Sequence, residues 1–316
     1  MVVGIDVAKQ TLAVVLVRPD GTRRQKSCAN SGTGHAELLR WLTRHAEGPA
    51  AIGLEATGGY HEAVALALHD AGHQVSVLNP QTVAAYARSQ LRRAKTDARD
   101  AAVIADYVRT QAPPVWVPPP PEARVLQALV RRLDALLGMR TQERNRLETA
   151  APVVQPSITA TIAHLDTEIA SVKRQIAGHI DRHPTLRTQR DLIVSIPGIG
   201  ETTAAIVLGE LLDVARFTSA RQVAAFAGLV PRLRQSGTSV RGRGPLAKLG
   251  ASRLRKALYF PALTALRHHP ALRAFGARLR AAGKPTMLIV AAVMRKLIQQ
   301  VYAILRTRHP FDPARA

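Results

Sequence analysis

Four consecutive prolines, at 118–121, close the stretch PPVWVPPPPE at residues 113–122 and constrain this 316-residue chain more than any other feature. Proline has no amide hydrogen to donate and its ring clashes with the preceding turn, so no helix continues through such a stretch. A domain boundary is expected there. Before it, residues 2–17, VVGIDVAKQTLAVVLV, read as two β-rich runs joined by a polar turn. AAIGLEA at 50–56 and QVSVLNP at 74–80 read as further buried strands. Between those two, HEAVALALHDAG has helical spacing and a glycine stop. Strands, helix and strand in this order, followed by a long helix from about Gln81 to Arg109, predict a mixed α/β sheet domain.

Beyond the prolines the apolar period changes. Leu126, Leu129, Leu133 and Leu136 are spaced 3-4-3, and Ile158, Ile162, Leu165, Ile169, Val172 and Ile176 are spaced 4-3-4-3-4. That is an a/d seam of roughly three heptads, which suits a helical hairpin, an intermolecular coiled coil, or a helix packed on its own domain. From Asp191 onward, short helices alternate with Gly and Pro turns, and no internal repeat is visible. Three segments are therefore expected: residues 1–112, a linker and helical or coiled-coil segment at 113–190, and a mainly α domain at 191–316.

Charge separates these segments further. The chain carries 44 Lys and Arg against 22 Asp and Glu, a net +22, which calls for a polyanionic partner. Residues 214–316 hold 20 basic side chains and a single acidic one, Asp312, so +19 of the excess lies in the last third. A membrane surface fits less well than nucleic acid, because the longest apolar run there, Met287–Met294, is too short to span. The opening VVGID has neither a charged n-region nor an apolar h-region, so no signal peptide is expected. One cysteine, Cys28, excludes an intrachain disulfide and a cysteine-cluster zinc site. A reducing cytoplasm fits both observations.

Acidic residues stand at suggestive places in the first segment. Asp6 ends an apolar β-run in VVGID, and Glu55 ends another in IGLEATGGYH. In AKTDARDAAVIADY, Asp97 and Asp100 are three residues apart on an expected helix and so share one face. An exposed face neutralised by Arg92, Arg93, Lys95 and Arg99 is the ordinary alternative; the apolar run Ala101–Ala105 argues instead for the edge of a core. Converging carboxylates repel by roughly 4 kcal/mol per close pair at an effective dielectric of 20. A divalent metal offsets that, and two Mg²⁺ ions suit phosphodiester cleavage.

Two stretches of the basic segment complete the candidates. In RLRQSGTSVRGRGPLAKLG, 232–250, Ser236 lies between Arg234 and Gly237, with Arg241, Arg243 and Lys248 close behind. A Gly-rich basic loop admits phosphate closely, and the serine there is either a hydrogen-bond donor or a nucleophile; no general base is adjacent. In LIVSIPGIGETTAAIVLGEL, 192–211, the turn Pro197-Gly198-Ile199-Gly200 precedes a helix start at Glu201. This suits a helix-hairpin-helix whose amides face a DNA phosphate, or an ordinary tight turn between packed helices.

GIDVAK, GLEATGGYH, KTDARDA, SIPGIGETTA and the serine of RQSG occur here in the order found in the IS one-ten insertion-sequence transposases, and the resemblance spans nearly the whole chain. It implies an RNase H-like (RuvC-like) domain with a DEDD tetrad at Asp6, Glu55, Asp97 and Asp100, holding Mg²⁺ or Mn²⁺. It further implies a downstream transposase domain whose Ser236 attacks DNA to form a phosphoserine link. The implied partners are donor and target DNA, an element-encoded guide RNA, and further copies of the chain in a homo-oligomer with a composite active site, acting in the bacterial cytoplasm at the nucleoid. No tetrad position departs from the pattern.

Other functions fit less of the chain. A RuvC-type junction resolvase uses the same carboxylates to hydrolyse DNA but leaves roughly two hundred downstream residues without a role. A DEDD exonuclease needs a Glu where Ala8 stands, and an actin-like ATPase needs glycine where Val7, Ala8 and Lys9 stand. A non-enzymatic nucleic-acid organiser would not need all four carboxylates.

Overall fold

The structure is a computed structural model that describes residues 1–56, 58–90, 97–232, 234–236, 240–242, 244, 246–247 and 249–313. It divides into two compact units, Met1–Pro118 and Pro119–Ala316, the division falling inside the four prolines.

The first unit is a five-stranded mixed sheet with helices. Its elements are β1 (Val2–Val7), β2 (Thr11–Val17), β3 (Arg23–Ala29), α1 (Gly32–His45), β4 (Ala51–Glu55), α2 (Glu62–Asp70), β5 (Gln74–Leu78), α3 (Pro80–Ser89) and α4 (Asp97–Gln111). The strands lie in the order β3-β2-β1-β4-β5, with β1, β2 and β3 antiparallel and β1, β4 and β5 parallel. Central strands β1 and β4 are continuous apolar runs because both faces are covered; Val3, Ile5, Ile52 and Leu54 are fully buried.

Three elements depart from the sequence expectation, the first being α1, a helix where none is expected. RRQKSCA forms edge strand β3, and only Cys28 of it is buried, so its composition carries no β pattern. The helix expected over 81–109 is two helices. Asn79 starts α3 by accepting the Gln81 amide at 2.9 Å, and Ser89 near its end donates to the Tyr86 carbonyl at 2.7 Å, a local bond that competes with helix continuation. Residues 91–96, with Arg92, Arg93 and Lys95, lie outside the described residues.

The residues before the prolines have a structural task. The Trp116 amide donates to the Val75 carbonyl at 2.7 Å, and Ser76 Oγ donates to the carbonyl of Pro114 at 3.0 Å. Residues 113–117 thus cover the open edge of β5, which would otherwise present unpaired backbone groups.

The second unit is mainly helical: α5 (Pro121–Thr149), α6 (Gln155–Arg182), α7 (Pro184–Val194), α8 (Glu201–Leu211), α9 (Ala220–Phe226), the strands β6 (Arg234–Ser236) and β7 (Val240–Gly242), then α10 (Ser252–Ala257), α11 (Tyr259–His268), α12 (Pro270–Ala281) and α13 (Thr286–Thr307). Helices α5 and α6 form a hairpin along the expected seam, with Leu126, Leu133, Leu136, Leu165, Ile169, Val172 and Ile176 all buried. One core joins that seam to α7, α8, α9 and α13. Gly209 of α8 brings the two layers together, since a Cβ there would lie 3.2 Å from a Val130 methyl. Helix α13 is longer than its uninterrupted apolar run suggests and is apolar enough by length and composition to cross a membrane, but Ile289, Val290, Val293, Leu297 and Val301 are buried inside the unit.

Candidate functional site

The register of the sheet brings two of the four acidic candidates together. Strands β1 and β4 pair in parallel from Val2 with Ala51 to Ile5 with Leu54, and the next residues in that register are Asp6 and Glu55. Both are half-buried, at the same end of adjacent central strands. Asp97 and Asp100 occupy the first turn of α4, where the exposed amides of the helix favour negative charge.

What holds α4 against these strands is a pair of glycines, the first residues of GIDVAK and GLEATGGYH, whose packing task those motifs do not reveal. A Cβ on Gly4 would lie 2.0 Å from the Ala101 carbonyl oxygen and 2.3 Å from the Ala105 nitrogen. A Cβ on Gly53 would lie 2.3 Å from a methyl of Val108. The helix backbone therefore rests directly on β1. Strand side chains alternate, so Asp6 and Glu55, each two residues beyond its glycine, are on the face that α4 covers. Asp100 adjoins Ala101, the residue seated on Gly4. Asp97 is exposed and Asp100 half-buried, while Ala101, Val103, Ile104 and Ala105 are buried. Among the described residues, no three His, Cys, Asp or Glu side chains are gathered closely enough to hold a metal ion. The proximity rests on register and on the seating of the helix.

Asn30 is a further residue that sequence reasoning does not find. Its side-chain amide donates to the Ala8 carbonyl at 2.9 Å and the Tyr60 carbonyl at 3.1 Å, tying together the turns that follow Asp6 and Glu55. Its Oδ1 accepts from His35 Nε2 at 2.9 Å, and burial holds the His35 ring below its ordinary pKa of 6.5. No local motif marks Asn30, because its partners are 22 and 30 residues away.

In the second unit, Ser236 is the last residue of β6 and pairs with Val240 of β7, while Gln235 pairs with Arg241 and Arg234 with Gly242. The expected loop is thus a short two-stranded ribbon, flanked by a bridge between Pro231 and Leu246. Gly237, Arg243 and Lys248 lie outside the described residues, as does Thr57 of the GLEATGG motif.

The SIPGIG turn divides its glycines between two tasks. Gly198 has φ +100°, and a Cβ on it would lie 3.0 Å from the Pro261 carbonyl oxygen and 3.2 Å from the Ala265 nitrogen, so this glycine serves packing against α11. Pro197 precedes it, half-buried. Gly200 is exposed, a Cβ on it would meet nothing within 4 Å, and it leads into α8, whose first amides have no side-chain cap. Of the two, only Gly200 leaves an open helix N-terminus that an anion can approach.

Comparison with known proteins covers residues of both units. A family model described as Transposase, of the DEDD IS110 type, matches residues 3–156, and one described as Transposase IS116/IS110/IS902 family matches residues 190–277. The chain is 34% identical over 313 residues to the pilin gene-inverting protein of Moraxella lacunata, covering 98% of this chain and 97% of that one. The protein of the same name from Moraxella bovis gives the same figures. Identity to the insertion element IS110 uncharacterized 43.6 kDa protein of Streptomyces coelicolor is 30% over 155 residues, 49% of this chain and 37% of that one. With both of its units matched and a relative similar over nearly its full length, the chain belongs to the IS110/IS116/IS902 family of insertion-sequence transposases.

Proposed function

We propose that the protein cuts and rejoins DNA by transesterification, with Asp6, Glu55, Asp97 and Asp100 as metal ligands and Ser236 as nucleophile. The observation that carries the first half is the register that sets Asp6 beside Glu55 on the face α4 covers. The strand order, with three antiparallel and then two parallel additions, supports an RNase H-like reading of this unit.

The four carboxylates fit a hard divalent cation by donor type, since Mg²⁺ and Mn²⁺ prefer carboxylate oxygen. Bound there, such ions would stabilise the negative charge that develops on a phosphodiester under attack. The protein's own part is to position these groups: the seating of Ala101 on Gly4 fixes the start of α4, and Asn30 fixes the turns after both strands.

In the cleavage step, Ser236 Oγ forms a bond to phosphorus and a phosphorus–oxygen bond of the DNA breaks. The hydroxyl proton passes to a carboxylate or water, and the departing oxygen becomes a free hydroxyl. The phosphate ester is kept on the serine, so a hydroxyl from a second strand can reverse the step and join new ends. The relatives named for pilin gene inversion support rejoining over hydrolysis, because an inverted segment is resealed at both ends. Ser236 and the carboxylates must act on one phosphate, which a homo-oligomer with a composite site would satisfy. The +19 charge of residues 214–316 supports a nucleic-acid grip. Arg234, Arg241 and the amides after Gly200 serve the phosphates, and a guide RNA directs both DNA partners.

The test is to stop the reaction with denaturant and look for protein joined to labelled DNA. Wild type should give an adduct in Mg²⁺, and Ser236→Ala should give none. An adduct that survives the substitution, or free cut ends alone from wild type, returns the protein to the class of hydrolytic nucleases.

A further inference from the structure

The second unit contains a groove of about 1000 Å³ between α10, α11 and the start of α13. Its apolar surface includes Phe260, 72% exposed, and Met287, 63% exposed, with Leu288 beside them. Large side chains left in water on neighbouring helices mark a surface that something covers. The groove also carries Arg253, Lys256 and Arg295. The first two are held by one carboxylate: Arg253 Nε donates to Asp134 at 3.2 Å, and Lys256 Nζ donates to its other oxygen at 3.0 Å. Behind them, Glu210 is 7% exposed with Oε1 4.0 Å from the Arg253 guanidinium. Arg253 and Lys256 are thus held beside the apolar surface before any ligand arrives.

Apolar and aromatic surface interleaved with cations fits a single nucleic-acid strand, whose base faces and phosphates are both accessible. A duplex keeps its base faces stacked inside and gains nothing from Phe260. Among the described residues, the uncharged polar side chains lining the groove are Ser252 and Tyr259, so few of them await a row of ribose 2′-hydroxyls, and deoxyribose fits these apolar walls better. Pro231 and Leu246, which bridge at the base of the Ser236 ribbon, also line the groove.

We propose that this groove binds an unpaired DNA strand, with bases against Phe260, Met287 and Leu288 and phosphates on Arg253, Lys256 and Arg295, beside the ribbon that carries Ser236. Its place in the reaction rests on the cleavage reading above; the binding itself does not.

The experiment measures affinity of the full-length protein for fluorescent oligodeoxythymidylate, for the RNA of the same sequence and for a duplex, in EDTA so that no metal-dependent cleavage intervenes. Phe260→Ala and Met287→Ala change exposed side chains, and each should weaken single-stranded DNA binding roughly tenfold with duplex affinity unchanged. Met139→Ala, which removes a comparably exposed apolar side chain from α5, should change nothing. Binding is read in EDTA without cleavage and the nucleophile is read by the covalent adduct, so a failed groove and a failed nucleophile give different results. Unchanged DNA affinity in Phe260→Ala and Met287→Ala overturns the proposal. RNA bound more tightly than DNA, with the same losses in the variants, overturns it in favour of RNA. A change in oligomeric mass with DNA affinity intact overturns it in favour of an interface between copies.

Discussion

The acidic candidates and the serine stand on opposite kinds of support. Asp6, Glu55 and Asp100 belong to elements fixed by a buried core, where α4 lies on two glycines of the adjacent strands β1 and β4. Ser236 ends a three-residue strand held by backbone pairing to another three-residue strand. The difference teaches that the positions of the carboxylates are a property of the whole first unit, whereas that of the serine is local. Substitutions in the glycine packing beneath the first site should therefore report on folding, while those of its half-buried or exposed carboxylates, and those at the second site, should report on chemistry.

The largest expected effect tests the acidic side of that comparison. Asp6→Ala, Glu55→Ala, Asp97→Ala and Asp100→Ala should each reduce strand cleavage in Mg²⁺ to background while the circular-dichroism spectrum stays that of wild type. Cleavage at wild-type rates in any one of them would remove that residue from the mechanism.

Next comes the glycine seat. Gly4→Ala forces a methyl into the backbone of α4 and should cost about 3 kcal/mol, the upper part of the usual range for overpacking, read from urea denaturation. Gly53→Ala meets a side-chain methyl instead and should cost about 1 kcal/mol, with Val108→Ala restoring much of it. Equal losses at the two positions would mean that α4 shifts as a body and that the seat does not fix Asp100.

A third prediction concerns where the basic half begins. A fragment 119–316 should unfold cooperatively and bind DNA with a steep salt dependence, the log-log slope approaching ~0.9 per duplex phosphate neutralised. A fragment 191–316 lacks α5 and α6, uncovers α8, and should melt without a cooperative transition. If the first unit alone bound duplex as tightly as 119–316, the assignment of the grip to the basic half would be wrong.

The smallest effect is a pH dependence confined to the second unit. His269 is fully buried, its Nδ1 accepts the Leu272 amide at 3.3 Å to cap α12, and burial holds its pKa below the ordinary 6.5. The unfolded chain thus takes up a proton near pH 6.5 that the folded chain refuses. The stabilisation is complete above that pH and is lost as pH falls through the depressed folded value. His269→Asn keeps a capping oxygen without a titrating ring, and should flatten the acid limb of a stability profile of 119–316.

Several elements are legible in the residues alone. β1, β2, β4 and β5 are announced by apolar runs, α2 by its period and glycine stop, and the α5–α6 seam by its heptads. β3 is not, because RRQKSCA gains its conformation from pairing with β2 and buries little. The break between α3 and α4 is hidden for a related reason: PQTVAAYARSQ has helical composition, and its end is set by local bonds from Ser89 and Gln90. At the site, residue types and order point to the carboxylates, while Asn30 and the packing task of Gly4 and Gly53 stay unseen because each acts on a segment distant in sequence.

The sequence by itself determined what depends on composition and local order: the proline boundary, the concentration of positive charge in the last third, the motifs that carry family membership, and which residue types are available for chemistry. Only the tertiary structure decided adjacency: that Asp6 and Glu55 share a register, that the two strand glycines admit a helix backbone, and that Gly198 serves α11 while Gly200 is left open. The physical reason is that local pattern records what a side chain prefers as solvent, apolar or aqueous. Close approach between backbones depends on the atoms missing at a particular glycine and on which distant segment fills that space.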